Sequence, residues 1–188
     1  MTNWPPTSPT RWYPDGLRYL PNILTLLRVA LTPFVVVLLA TRRSTAALAL
    51  FAVAGATDAI DGWLARRLRV VSPFGAYMDP VADKLLLSVT FPALAWSGQI
   101  PWWIAGVVVA RDLLILAAAG ALWAFTSIRG FTPSVWGKAS TLAQIVAAVA
   151  VMSGAAPLVV KPLLAAAVCL AFVSGLHHLA RAIAGLRA

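Results

Sequence analysis

The chain has 188 residues, 61% of them hydrophobic and only 11% charged. A water-soluble domain of this size needs about 25% charged residues to cover its core, so composition excludes an ordinary soluble globule and makes the bilayer the natural solvent. The net charge of +9 comes from fifteen Lys and Arg against six acids, all of them Asp. On so apolar a chain that excess points to membrane lipids and cytoplasmic loops, and nucleic acid is not expected as a partner.

In chain order, residues 1–21 are polar and rich in Pro and Trp. They read as an N-terminal interfacial segment, with Trp4, Trp12, Tyr13 and Tyr19 at headgroup depth. They lack the short apolar run and small-residue cleavage site of a signal peptide. Residues 22–188 read as one domain, an all-α integral membrane protein with six transmembrane helices near 22–40, 45–66, 79–97, 101–125, 138–154 and 158–181. At 1.5 Å per residue each can cross roughly 30 Å of hydrocarbon. Breakers separate them at Ser72-Pro73, Gly98-Gln99-Ile100-Pro101, Thr132-Pro133 and Ala156-Pro157. With the N-terminus in the cytoplasm, that side receives Arg11, Arg18, Arg66, Arg67, Arg69, Arg129, Lys138, Arg181 and Arg187. The far side receives Arg42, Arg43 and Lys161, so the positive-inside bias puts both termini inside. Cys169 stands alone in an apolar stretch, which leaves no disulfide and no cysteine metal site.

Four of the six acids fall between Asp58 and Asp83. Asp58 and Asp61 are three apart, Asp79 and Asp83 four apart, so each pair shares a helix face. Joined by a short loop, the two helices are antiparallel neighbours and the pairs converge. Carboxylates gathered in apolar surroundings repel unless a cation lies between them, and an all-oxygen donor set suits Mg²⁺ or Mn²⁺. Ion pairing with Arg66, Lys84 or Arg111 is the structural alternative. Gly62 and Ala65 remove bulk beside the first pair, for the close approach of a nucleotide or of another helix.

The pattern Asp58-x2-Asp61-Gly62-x2-Ala65-Arg66-x8-Gly75-x3-Asp79-x3-Asp83 resembles the complete signature of the CDP-alcohol phosphatidyltransferase family, with all eight specified positions matched. The resemblance implies two divalent cations, Mg or Mn, bound by Asp58, Asp61 and Asp79 with the help of Asp83, which also acts as general base. It implies a CDP site lined by Asp58, Gly62, Ala65, Arg66 and Gly75. CDP-diacylglycerol is then the donor and CMP the leaving group. The enzyme would be a homodimer of the bacterial plasma membrane, its active site facing the cytoplasm.

Three further stretches resemble motifs of the members that use glycerol-type acceptors. They are Pro21-Asn22-Ile23-Leu24-Thr25-Leu26-Leu27-Arg28, Arg111-Asp112, and Gly137-Lys138-Ala139-Ser140-Thr141-Leu142-Ala143-Gln144. They nominate Asn22, Thr25, Arg28, Arg111 and Lys138 for acceptor binding, the three cations holding an anionic phosphate. Each cation could instead snorkel or pair locally, Arg111 with Asp112 especially. Members that accept glycerol 3-phosphate usually have Arg-Glu here and a further Arg seven residues after the first, where this chain has Asp112 and Ala118. The missing cation favours phosphatidylglycerol as acceptor, giving cardiolipin. A phosphatidylglycerophosphate synthase using glycerol 3-phosphate is the alternative. An ion-coupled transporter would explain the carboxylates but not Gly62, Ala65, Arg66 and Gly75 at fixed spacing, nor the lack of inverted repeats.

Overall fold

The computed structural model describes the backbone of residues 20–68, 73–125 and 135–186, and within it the side chains of 26–57, 85–117, 135–180 and 183. Among the described residues there are six helices and no strand: α1 Leu20–Ala40, α2 Ser44–Leu68, α3 Pro73–Trp96, α4 Trp102–Phe125, α5 Val135–Met152 and α6 Pro157–Leu186. The all-helical expectation holds, and most boundaries fall within a few residues of those read from the sequence. The exceptions are α6, which runs on to Leu186, and α3, which opens at Pro73 instead of near 79. Pro73 is a helix start and not a loop breaker, because a residue without an N–H costs nothing in the first turn and its fixed φ suits a helix. Pro157 opens α6 in the same way, behind the Ala156 carbonyl, which accepts from the Val159 and Val160 amides at 2.8 and 3.1 Å.

Within the described residues, Val135–Met152 and Pro157–Ala180 are long and apolar enough to cross a membrane, and the apolar stretches Leu26–Ala40, Ser44–Thr57 and Leu85–Trp96 are shorter. Residues 1–19, most of the expected interfacial segment, lie outside the described residues, as does Thr132-Pro133.

Short connections make successive helices run in alternating directions. α1 packs on both α2 and α3, α3 on α4, α4 on α6 and α6 on α5, and α5 closes the ring against α2 while also touching α3. The connections 41–43, 97–101 and 153–156 therefore share one end of the bundle, which we call the turn end.

At the turn end three helices stop in the same way. The Arg42 and Arg43 amides donate to the Leu39 and Leu38 carbonyls (2.9 and 2.8 Å), those of Gly98 and Gln99 to Ala95 and Leu94 (both 3.0 Å), and those of Gly154 and Ala155 to Val151 and Ala150 (both 3.1 Å). Each is a Schellman motif, which needs a left-handed residue just past the helix. Gly98 and Gly154 supply it at φ 76° and 71°, and Arg42 supplies it at φ 58° with a side chain in place. Ser44 Oγ donates to Gln99 Oε1 at 3.2 Å, tying two of these turns together.

The apolar core also lies towards this end. Val35 and Leu39 of α1, Ala47 and Phe51 of α2, Phe91 and Leu94 of α3, Ile104 and Val108 of α4, Val151 and Met152 of α5, and Leu164 and Ala167 of α6 form one buried cluster. Small residues in it, such as Ala47, Ala54, Ala105 and Ala148, let the helix axes approach closely. The outer face is apolar too: Phe34, Val53, Trp103, Leu113, Leu142 and Phe172 are all exposed. So broad an apolar exterior is foreign to a soluble monomer.

Candidate active site

The acidic motif lies away from the turn end, and the helix boundaries settle its register. Asp58, Asp61, Gly62, Ala65 and Arg66 all fall on α2, at i, i+3, i+4, i+7 and i+8, which is one stripe of a helix. Because α3 starts at Pro73, Gly75, Asp79 and Asp83 all fall on α3 at i, i+4 and i+8, again one stripe. All eight motif positions are thus helical, on two helices that both pack against α1. The side chains of residues 58–84 lie outside the described residues. Among the described side chains no group of three or more His, Cys, Asp or Glu could hold a metal.

Of the residues nominated for the acceptor, Asn22 and Thr25 lie on α1 with side chains outside the described residues. Arg28, one turn further along α1, is buried at 1% exposure, and its carbonyl accepts from Thr32 Oγ1 at 2.8 Å. Lys138 is exposed in the first turns of α5.

Arg111 is buried near the middle of the bundle and heavily engaged. Its Nη1 donates to Asp112 Oδ1 at 2.7 Å, and its Nη2 donates to Ser174 Oγ at 3.0 Å and to the Gly137 carbonyl at 3.3 Å. Asp112 Oδ2 accepts from Ser88 Oγ at 2.8 Å. One ion pair, with side chains 5% and 6% exposed, therefore joins α3, α4, α5 and α6. Its charges offset each other at short range, and hydroxyls and a carbonyl meet part of what remains, as burying a pair requires. Arg111 Nε is the exception, buried with no hydrogen-bond partner. The stem of the arginine passes beside Gly175, whose missing Cβ would come 3.9 Å from Arg111 Cγ.

The network continues along α6 and α5. His178 Nδ1 lies 2.8 Å from the Ser174 carbonyl, and since a carbonyl only accepts, Nδ1 carries the proton. Ser140 and Gln144 are buried on α5, 3.4 Å apart between Oγ and Nε2. The sequence reading did not single out Ser88, Ser174 or His178. The signal that could have found them is a polar side chain within an apolar run, which in a bilayer faces the bundle interior.

This geometry bears on the acceptor argument from Asp112. Each carboxylate oxygen accepts a bond within the bundle, Oδ1 from Arg111 and Oδ2 from Ser88. The side chain of Ala118 lies outside the described residues.

Comparison with known proteins gives a consistent picture. The sequence model of a family described as CDP-alcohol phosphatidyltransferase matches residues 18–175. A "probable phosphatidylglycerophosphate synthase" of Mycobacterium tuberculosis is 35% identical over 174 residues, covering 87% of this chain and 81% of that protein. A CDP-diacylglycerol–glycerol-3-phosphate 3-phosphatidyltransferase of Pseudomonas fluorescens is 36% identical over 140 residues, 71% of this chain and 72% of that protein. A "probable cardiolipin synthase (CMP-forming)" of Drosophila melanogaster is 37% identical over 105 residues, but these are 55% of this chain and 33% of that protein.

Proposed function

The chain belongs to the CDP-alcohol phosphatidyltransferase family, and on that premise we propose that it makes phosphatidylglycerophosphate, moving the phosphatidyl group of CDP-diacylglycerol to glycerol 3-phosphate with release of CMP. The observation that carries this acceptor is the match, over more than two thirds of both chains, to relatives named for glycerol 3-phosphate or its product, against one over a third of the length of a relative named for cardiolipin. This replaces phosphatidylglycerol, the acceptor expected from Asp112 and Ala118. The missing cation at Ala118 favours the less charged acceptor, and the relatives named for glycerol 3-phosphate or its product outweigh it.

The chemistry follows from the motif. Asp58, Asp61, Asp79 and Asp83 offer hard oxygen donors on two helix stripes, a set that fits Mg²⁺ or Mn²⁺, and the family uses divalent metals. When bound, the cations neutralise the pyrophosphate and stabilise departing CMP. Asp83 takes the proton from the acceptor hydroxyl as its oxygen bonds to the phosphorus bearing diacylglycerol. The bridging P–O bond breaks, and its electron pair leaves with CMP. Gly62 and Ala65, beside Asp58 and Asp61, leave room for the nucleotide along the α2 stripe, which Arg66 and, on α3, Gly75 complete. Arg28 and Lys138 hold the phosphate of the acceptor, with Asn22 and Thr25 on the same helix as Arg28.

The apolar exterior supports a fully membrane-embedded bundle of six spans, with the motif end towards cytoplasmic CDP-diacylglycerol in a bacterial plasma membrane. Trp96 and Trp102, edge to face at 6.4 Å, and exposed Trp103 suit the opposite interface together with Arg42, Arg43 and Lys161. A homodimer is the assembly that the family resemblance favours. The test is to give the purified protein CDP-diacylglycerol with each acceptor and identify the lipid by mass spectrometry. Phosphatidylglycerophosphate and CMP from glycerol 3-phosphate are expected. Cardiolipin from phosphatidylglycerol, with glycerol 3-phosphate unused, overturns the assignment.

A further inference from the structure

We propose that Arg111 is a positioning residue for the acceptor and acts through Gly137 and Lys138, without touching the acceptor itself. The inference rests on the reading above, in which Lys138 holds the acceptor phosphate. A guanidinium that clamps a phosphate does so through a fork of adjacent N–H groups. In Arg111 both terminal nitrogens already donate to the protein. A phosphate taking that fork would compete with a carboxylate 2.7 Å away and pull apart a buried ion pair.

The partners of Arg111 say what it does instead. The Gly137 carbonyl lies in the first turn of α5, one residue before Lys138, and is held from the other side by Thr141 Oγ1 at 3.0 Å. Asp112 is bonded to Ser88 on α3, the helix that carries Asp79 and Asp83. The pair thus sets the start of α5, and Lys138 with it, against the helix bearing the base. Ser174 on α6 fixes the guanidinium from a third side. Holding the acceptor and the base in register is what positions a hydroxyl for attack, and a misplacement of about 1 Å can cost about 10²-fold in rate.

The experiment is a double-mutant cycle on the full-length protein in detergent, reading kcat/KM for glycerol 3-phosphate and KM for CDP-diacylglycerol. Arg111→Lys keeps the charge but not the fork. It is expected to lower kcat/KM for the acceptor by about 10- to 100-fold, with KM for CDP-diacylglycerol unchanged. In a Lys138→Ala background the same substitution should cost less than about 3-fold, because the group it positions is gone. Ser174→Ala, which removes one bond and spares the ion pair, should show the same coupling at smaller size and serves if Arg111→Lys does not fold. Where turnover is too slow for a KM, titration calorimetry of glycerol 3-phosphate completes the cycle. Equal losses in both backgrounds overturn the proposal and make Arg111 either a direct ligand or a purely structural residue. Should the wild type ignore glycerol 3-phosphate, the functional reading fails instead, and the cycle is run with the acceptor it does use.

Discussion

The two ends of the bundle are built from different materials. At the turn end, three Schellman motifs close α1, α3 and α5, and one apolar cluster fills the space between all six helices. Towards the other end the buried residues become polar: Arg28, Arg111, Asp112, Ser140, Gln144, Ser174 and His178. The acidic motif lies on the same side, with Asp58 and Asp83 each roughly 20 Å along its helix from the turns at 1.5 Å per residue. Packing and chemistry are thus separated along the helix axes. One half of each helix holds the bundle together by close contact, which in a bilayer comes from van der Waals fit and not from escape from water. The other half carries charges that are costly to bury, and it needs partners on neighbouring helices to keep them there.

If that separation is real, substitutions at the two ends should fail in different ways. The largest effect is expected from Asp58→Asn, Asp61→Asn or Asp79→Asn. Turnover should fall by about 10³-fold or more, since ligand loss removes several kcal/mol of charge stabilisation, while the melting temperature in detergent stays near that of the wild type. Substantial activity in all three variants would remove the metal role from the motif. Asp83→Asn should slow turnover by about 10²- to 10⁴-fold as a missing base does, with Mn²⁺ affinity kept better than rate. Equal loss of both makes Asp83 a plain ligand.

At the opposite end, Phe91→Ala empties a fully buried site in the core. It should lower stability by roughly 3 kcal/mol, seen as a lower melting temperature, with kcat and both KM values of the folded fraction unchanged. A shift in either KM would show that the two ends are coupled. The smallest effect sharpens the cap argument. Arg42 holds φ 58°, a conformation that costs a residue with a Cβ about 1–2 kcal/mol, so Arg42→Gly should raise stability by up to about 1 kcal/mol and leave kinetics alone. The reverse change, Gly154→Ala at φ 71°, should destabilise by a similar amount.

Much of this was legible in the sequence because it is local. Apolar runs, Gly and Pro at their ends, and carboxylates at helical spacing needed no partner to be read, so the helices and the motif were found where they lie. Pro73 was misread as a breaker, since a proline that ends one helix and a proline that starts another look alike without knowing which side is helical. The pairing of Arg111 with Asp112, adjacent in the chain, was legible as the alternative to a phosphate site, and the structure shows it at 2.7 Å.

What the sequence determined by itself is the family, the helical architecture and the acidic stripe, all properties of residues a few positions apart. Only the tertiary structure decided which groups surround the Arg111–Asp112 pair. Their partners Ser88, Gly137 and Ser174 lie 24, 26 and 63 residues away along the chain, and no local pattern singles out one serine in an apolar helix. A buried ion pair is defined by the groups that surround it, and those groups meet only once α3, α4, α5 and α6 have packed.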